Sequence, residues 1–495
     1  MRKLNKLARV ITLLLAVVMV VSQAATAVRA DDIPYDTYNY DYREYIHYTP
    51  AAYVPDKLLY GRNLMYNGES IGDFKTPQDM CKSPDGRVYI ADTGNNRVVV
   101  LDEKLETVLS VITAFDNNGK EDKLGAPYGV CVSEKGNIYI ADSKNRRVVV
   151  LDPDHNLKQI VSDPKSESLE DGFVFTPWKV AVDYADRVYV IAQNMFEGIM
   201  VFETDGQFTG FFGTISVSIS LWERFWRRIA TKEERANQKL FIPTEFTGID
   251  VDPEGFIYAT NITSDGIQGV RRLNPSGQDV IKKGENKNLG GDLDIDGTGD
   301  YYGPSQFTDV VYRDKGIYSC LDRRRGRIFT YDHEGNLLYI FGGLGTQVGT
   351  FQMPVAIEQI GTGICVLDSN MAAITSFKVT EYGDKINTAV GLRYDGDEAL
   401  AVDVWNRVLE LDENNELANT GIGKAYLSSG DYESAMKYLK LGMNRDYYSI
   451  AYKRYRNEVL KRNASYFLTG AVVLIIAIVL FRKYRKRRKG VIDDD

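Results

Sequence analysis

Between residues 74 and 380 apolar and polar positions alternate with a period of two, in short runs broken by Gly-bearing turns such as Asp85-Gly86 and Glu254-Gly255. That period with those turns predicts antiparallel strands joined by hairpins. The runs also recur. FKTPQDMCKSPDGRVYIADTGNNRVVVLD from Phe74 returns 50 residues later as LGAPYGVCVSEKGNIYIADSKNRRVVVLD from Leu124, and looser copies begin at Thr176, Phe246, Gln306 and Met353, making six. From about Ile386 the period changes to that of helices, and after Asn463 polar residues disappear for a stretch.

A sheet of four such strands cannot cover its own faces, so the copies must stack, and about 40 to 50 residues per copy is the spacing of propeller blades. The expected fold is mainly β, a six-bladed β-propeller over residues 74–381. The last copy leaves after Val379 without an outer strand, and the stretch Tyr53 to Gly61 is expected to supply it and close the ring. The motifs Pro127-Tyr128-Gly129, Tyr-Ile-Ala-Asp at the end of the second strand, and Asp-x-x-Asn-x-Arg in the hairpin (Asp92, Asn95, Arg97; Asp142, Asn145, Arg147) resemble the NHL-repeat family. The resemblance is specific in the first two copies and degenerate where Gln193, Thr260 and Ala373 stand in the third, fourth and sixth. The hairpin Asp can accept backbone N–H groups and the Arg can reach a neighbouring oxygen, so a structural role is favoured over a binding one.

Around this core the chain divides as follows. Residues 1–30 carry Arg2, Lys3, Lys6 and Arg9, an apolar run Val10 to Val21 and small residues up to Ala27 and Ala30, the order of a secretory leader cleaved after one of those alanines. Residues 31–73 hold eight of the 32 tyrosines before position 61 and are expected to form a strap and the closing strand. In residues 382–463 Gly396 and Gly430, Ala401 and Ala435, and Trp405 and Leu439 share one spacing, and NELANTGIGKAYLSSGDYESAMKYLKLG resembles a tetratricopeptide repeat. Residues 464–481 are 18 uncharged, mostly apolar positions, long enough to span a bilayer, and 482–495 form a basic tail expected on the cytoplasmic side.

Charge changes meaning with this division. The overall −8 includes five positive charges in the leader, and seven positive with three negative in the tail, so residues 31–464 carry −17. An exterior so acidic disfavours nucleic acid. Cys81, Cys131, Cys320 and Cys365 fall in strands as small apolar residues, Cys81 and Cys131 pointing alike rather than at each other. His47, His155 and His333 lack metal-ligand spacing.

Two long connections enlarge one face of the ring. Ser218 to Lys239 repeats Leu221, Phe225 and Ile229 at helical spacing beside Trp222 and Trp226, a helix either packed on the propeller by that stripe or offering Trp222, Phe225 and Trp226 to a partner or membrane surface. Asn288 to Pro304 holds Asp292, Asp294 and Asp296 in the order that opens a Ca²⁺ loop, with Gly303 in the twelfth place and Asp300 as its only substitute; Ca²⁺ is thus the one candidate in a chain otherwise expected to need no cofactor. The propeller mouth gathers Gln78, Asp79, Tyr128, Trp178, Lys179, Thr308 and Asp309 from first strands and Asn194, Phe196, Arg323, Arg324 and Arg325 from hairpins. Aromatic faces beside amides and single charges suit a sugar or peptide, unless the insertions cover them. Six-bladed propellers also include lactonase-like hydrolases and an amidating lyase, but the lyase needs histidines that the first strands lack. The expected function is therefore a membrane-anchored extracellular recognition protein, binding a sugar, peptide or protein at the mouth and a partner on the tetratricopeptide-like helices. The arrangement looks like Gram-positive-type envelope proteins that accompany transporters. The alternative is a metal-dependent lactonase-like hydrolase using Asp79, Asn194 and Asp309.

Overall fold

The structure, a computed structural model, describes residues 33–162, 164–166, 169, 172–213, 245–262, 269–284, 289–293 and 303–490. It falls into two units that meet in sequence between Tyr394 and Asp395.

The first unit is a six-bladed β-propeller. Its innermost strands are Asp79–Lys82, Pro127–Val132, Pro177–Val182, Phe246–Val251, Phe307–Asp314 and Pro354–Ile360, one per blade, each followed outward by antiparallel neighbours. Blades 1, 2, 3 and 5 have four strands; blade 4 shows three, its outer strand reduced to a single bridge from Leu273 to Asp279 among the described residues. Blade 6 takes its outer strand from the start of the chain: Tyr53–Tyr60 pairs antiparallel with Ala373–Val379, Tyr53 opposite Val379 and Tyr60 opposite Ala373. Closing the ring this way removes two free sheet edges. The core lies between blades, where strands such as Val98–Leu101 and Val148–Leu151 are buried on both faces.

The repeated hairpin carboxylates are structural. Asp142, fully buried, accepts Gly125 N–H at 2.6 Å, Asn145 Nδ2 at 2.8 Å and Arg147 Nε at 2.8 Å. Asp92 does the same for Lys75 N–H, Asn95 and Arg97. Each ties a hairpin to the segment leading into its own blade.

The tyrosine-rich segment lies on the propeller. Tyr35 donates to the Tyr53 carbonyl at 3.1 Å, and Asn39 Nδ2 reaches the carbonyls of Leu337 and Leu338, both at 3.2 Å. Helix α1 (Glu381–Tyr394) belongs to this unit and is pinned by Asn387, whose Oδ1 accepts from Tyr339, and by Arg393 paired to Glu334 at 2.8 Å.

The second unit contains α2 (Glu398–Leu411), α3 (Glu416–Ser429), α4 (Tyr432–Leu441), α5 (Arg445–Arg462) and α6 (Ala464–Gly490). Side-chain caps start three of them: Asn415, Asp431 and Asn444 accept N–H groups of Ala418, Ser434 and Tyr447 at 2.8 to 3.0 Å. Close crossings use small residues; a Cβ on Gly423 would stand 2.6 Å from Leu439 Cγ. Helix α6 is long and apolar enough to cross a membrane over Ala464–Arg485, with mean hydropathy 2.5 and none of it buried. The helix outlasts the apolar run that ends at Phe481 because the basic residues that follow are good helix formers.

Candidate functional site: the propeller mouth and its sealed channel

The six innermost strands place one residue each at the same depth: Asp79, Gly129, Lys179, Gly248, Asp309 and Ala356. Long charged side chains come from the odd blades and Gly or Ala from the even ones, because the ring has no room for six. A Cβ on Gly129 would lie 2.5 Å from the Trp178 carbonyl, and one on Gly248 would lie 2.5 Å from Asp309 Cα. In the space left, Lys179 Nζ crosses from blade 3 to Asp79 Oδ1 of blade 1 at 2.5 Å and faces Asp309 Oδ2 of blade 5 at 3.6 Å. All three side chains are buried.

This layer occupies the axis of the ring at that depth. Burial alone would lower the Lys179 pKa, but the Asp309 and Asp79 carboxylates override it and raise it. Burial pushes Asp309 up to about 7 and raises Asp79, against the opposing pull of the ammonium.

One pleat further in stand Cys81, Cys131, Ala181, Asp250, Val311 and Glu358. Asp250 and Glu358 were not singled out from sequence. Burial raises them to about 7 and about 8, each aggravated by another carboxylate, Asp252 for the first and Asp250 for the second. The Cys81 thiol is raised well above its usual range by its hydrogen bond to Cys131 and by burial. Both are free thiols, as are Cys320 and Cys365.

The channel carboxylates share one task. An innermost strand has an unpaired edge, and its N–H groups need acceptors. Asp79 accepts Val130 N–H at 2.9 Å, Asp250 accepts Tyr312 N–H at 2.6 Å, Asp309 accepts Ile357 N–H at 3.0 Å and Glu358 accepts Lys82 N–H at 2.9 Å. In each case the acceptor belongs to one blade and the donor to the next.

Above the plug, Tyr128 and Trp178 stack with centroids 5.3 Å apart and planes 11° from parallel. Both are partly exposed. Burial raises the Tyr128 hydroxyl, with Lys179 and Arg323 pulling the other way. Arg323 is exposed and donates from Nε to Gln306 at 3.2 Å. Other polar groups of the rim are spent within the propeller: Gln78 Nε2 donates to Ser369 of the neighbouring blade at 3.0 Å, and the Thr308 hydroxyl faces the carbonyls of Leu321 in its own blade and Pro354 in the next.

Of the other residues singled out from sequence, Asn194 lines a separate rim cavity of about 400 Å³ with Leu169, Phe173, Val174, Met195 and Phe196. Its left-handed backbone, φ 57°, turns the blade 3 hairpin. Arg324 lies against Gly303, which its positive φ of 94° brings close, whereas the adjacent Arg325 is buried and pairs with Asp292 at 3.2 Å. Asp292 needs the largest correction. As a Ca²⁺ ligand it would keep its oxygens open, yet they are taken by Tyr38, Tyr40, Arg325 and Arg327. The carboxylate anchors the strap to blade 5. Asp294, Asp296 and Asp300 lie outside the described residues, as do Trp222, Phe225, Trp226 and the leader. Among the described residues no three acidic, His or Cys side chains are grouped to hold a metal ion.

The NHL-repeat model matches residues 74–101 and 124–151. These are NHL repeats. They coincide with the first three strands of blades 1 and 2 and with the two intact Asp-Asn-Arg hairpins. A search of curated proteins finds no match. Among solved structures the chain is similar to a streptogramin B lyase, 11% identical, TM-score 0.39, covering 67% of this chain and all of that one. It is similar to the virginiamycin B lyase of Staphylococcus aureus, 11% identical, TM-score 0.40, over 66% of this chain and 99% of that one. It is also similar to a putative gluconolactonase, 13% identical, TM-score 0.39, over 67% and 94%. At those values no substrate or activity carries over.

Proposed function

We propose that this chain is a membrane-anchored recognition protein whose NHL propeller holds a sugar or peptide at its mouth. The observation that carries the reading is the Tyr128–Trp178 stack above the buried Lys179–Asp79 pair. The outer face of such a pair offers flat apolar area beside the Arg323 charge, the surface that a sugar ring or an aromatic peptide side chain packs against. The groups that a hydrolase would need are already occupied: Asp79 and Asp309 bind Lys179 and a backbone N–H each. Helix α6 anchors the molecule with the basic tail inside, and the tetratricopeptide-like helices α2 to α5 receive a second protein, such as a transporter subunit.

Tryptophan fluorescence of the detergent-solubilised full chain, titrated with cell-wall oligosaccharides and short peptides, tests this. One class should quench saturably, and Trp178→Ala should abolish the response while leaving the melting temperature within about 2 °C, as expected for a surface change. Ca²⁺-dependent turnover of a lactone, lost in Asp309→Asn with the fold intact, would overturn the reading in favour of a hydrolase.

A further inference from the structure

Helix α5 leads into the apolar helix α6 through a single residue, Asn463. Hydrogen bonding is nearly unbroken across the joint: Asn463 N–H donates to Val459 and Phe467 N–H to Asn463, both at 3.1 Å. One side of α5 packs into the unit through Tyr447, Tyr448 and the fully buried Ala451. The other side is open. Lys453, Arg454, Arg456, Lys461 and Arg462 are all exposed, against Glu458 alone in the last ten residues of the helix, and none of the five makes an ion pair among the described residues. Interleaved with them are Ile450, Tyr452 and Leu460, 42%, 50% and 47% exposed.

A soluble face would be charged and mixed in sign, and a protein-docking face would concentrate apolar area. The exposed side chains of the last turns, spread around the helix, combine basic charge with scattered apolar and tyrosine groups directly before an apolar run of bilayer length. Resting on the proposal that α6 spans the membrane, we propose that the end of α5 is a lipid-reading element: its basic side chains bind anionic phospholipid headgroups of the leaflet nearest Ala464, while Leu460 enters the headgroup region. The attraction of a Lys or Arg to an anionic surface decays within about 8 Å at physiological salt, so Lys461 and Arg462, in the last turn of the helix, carry most of it. The consequence is that the second unit is held against the bilayer when anionic lipid is present and released in neutral lipid. The partner is a lipid surface rather than an acidic protein, because the charge is graded toward the membrane end of the helix: Arg445 and Asp446 cancel in the first turn, and Lys461 and Arg462 stand unopposed in the last.

The test uses the full chain in nanodiscs of phosphatidylcholine with or without phosphatidylglycerol, carrying photoactivatable lipid probes, with crosslinks mapped by mass spectrometry. A headgroup probe on phosphatidylglycerol should label peptides from 450–462 at least about threefold more than one on phosphatidylcholine, and about 0.5 M salt should remove the difference. Arg456→Gln with Lys461→Gln and Arg462→Gln should remove it too. An acyl-chain probe reads the span separately. If 464–481 is not labelled, the span itself is wrong. If 464–481 is labelled and 450–462 shows no preference for phosphatidylglycerol, or crosslinks only to a second protein, the inference is overturned while the span stands.

Discussion

Lys179 and Asp79 meet across the propeller axis from blades two apart, at 2.5 Å. With Asp309 they tie the three odd blades together at one depth, buried, where an ionised group stays only if paired. Removing the cation should therefore strand two carboxylates. Lys179→Met is expected to destabilise the propeller by about 3 to 5 kcal/mol in urea denaturation, and adding Asp79→Asn and Asp309→Asn should recover most of it. A single variant within about 1 kcal/mol of the parent would show that the plug is not coupled in this way.

The channel carboxylates make stability depend on pH with a definite sign. Asp250 and Asp309 are raised to about 7 and Glu358 to about 8, whereas an unfolded chain titrates these groups near pH 4. The folded state holds the protons longer, so the stability they contribute is full below about pH 4 and is lost as pH rises through 7 to 8. Asp122 works the opposite way: its hydrogen bond to Arg147 holds it at about 2, and its contribution is lost only as pH falls toward that value. The melting temperature should fall between pH 6 and 8.5, and Asp250→Asn with Glu358→Gln should flatten the decline. A melting temperature that rises across that interval would refute the assignment.

Gly129 and Gly248 are predicted to be intolerant of a methyl group although their backbones are ordinary strand. The obstacle at Gly129 is the Trp178 carbonyl and at Gly248 the Asp309 backbone, neither of which can rotate away. Gly129→Ala and Gly248→Ala should each cost about 1 to 3 kcal/mol, read by the same denaturation assay. Gly68→Ala, where a Cβ would meet nothing within 4 Å but φ is +86°, separates crowding from backbone strain and should cost about 1 kcal/mol.

Deleting residues 33–60 should open the ring. The segment supplies the outer strand of blade 6 and the fully buried Tyr53, whose hydroxyl also receives a hydrogen bond from Arg313 of blade 5. Size-exclusion chromatography of the solubilised variant is expected to show aggregation through the exposed edge Ala373–Val379. A monomeric, cooperatively melting variant would mean that closure is dispensable.

Much of the site lay along the repeat itself. The six residues at the plug depth are one aligned position in six copies, and the alternation of charged with Gly or Ala is visible once the copies are superposed. Asp250 and Glu358 stand two places further on and carried the same signal, but a lone acidic residue in a degenerate strand looks like an edge or turn residue. Asp292 failed for the converse reason. Its Asp-x-Asp-x-Asp-Gly context has the form of a cation loop, and nothing local shows that Arg325, Arg327 and two strap tyrosines fold onto it.

The sequence by itself determined the strands, the hairpins, the number of blades and the apolar terminal helix, because each rests on periodicity and turn chemistry within a few tens of residues. Tertiary structure alone decided which side chains meet at the axis and on the strap. Such partners lie far apart in the chain, 100 residues for Lys179 and Asp79 and 254 for Tyr38 and Asp292, and closing the ring brings them together by geometry that no local pattern encodes.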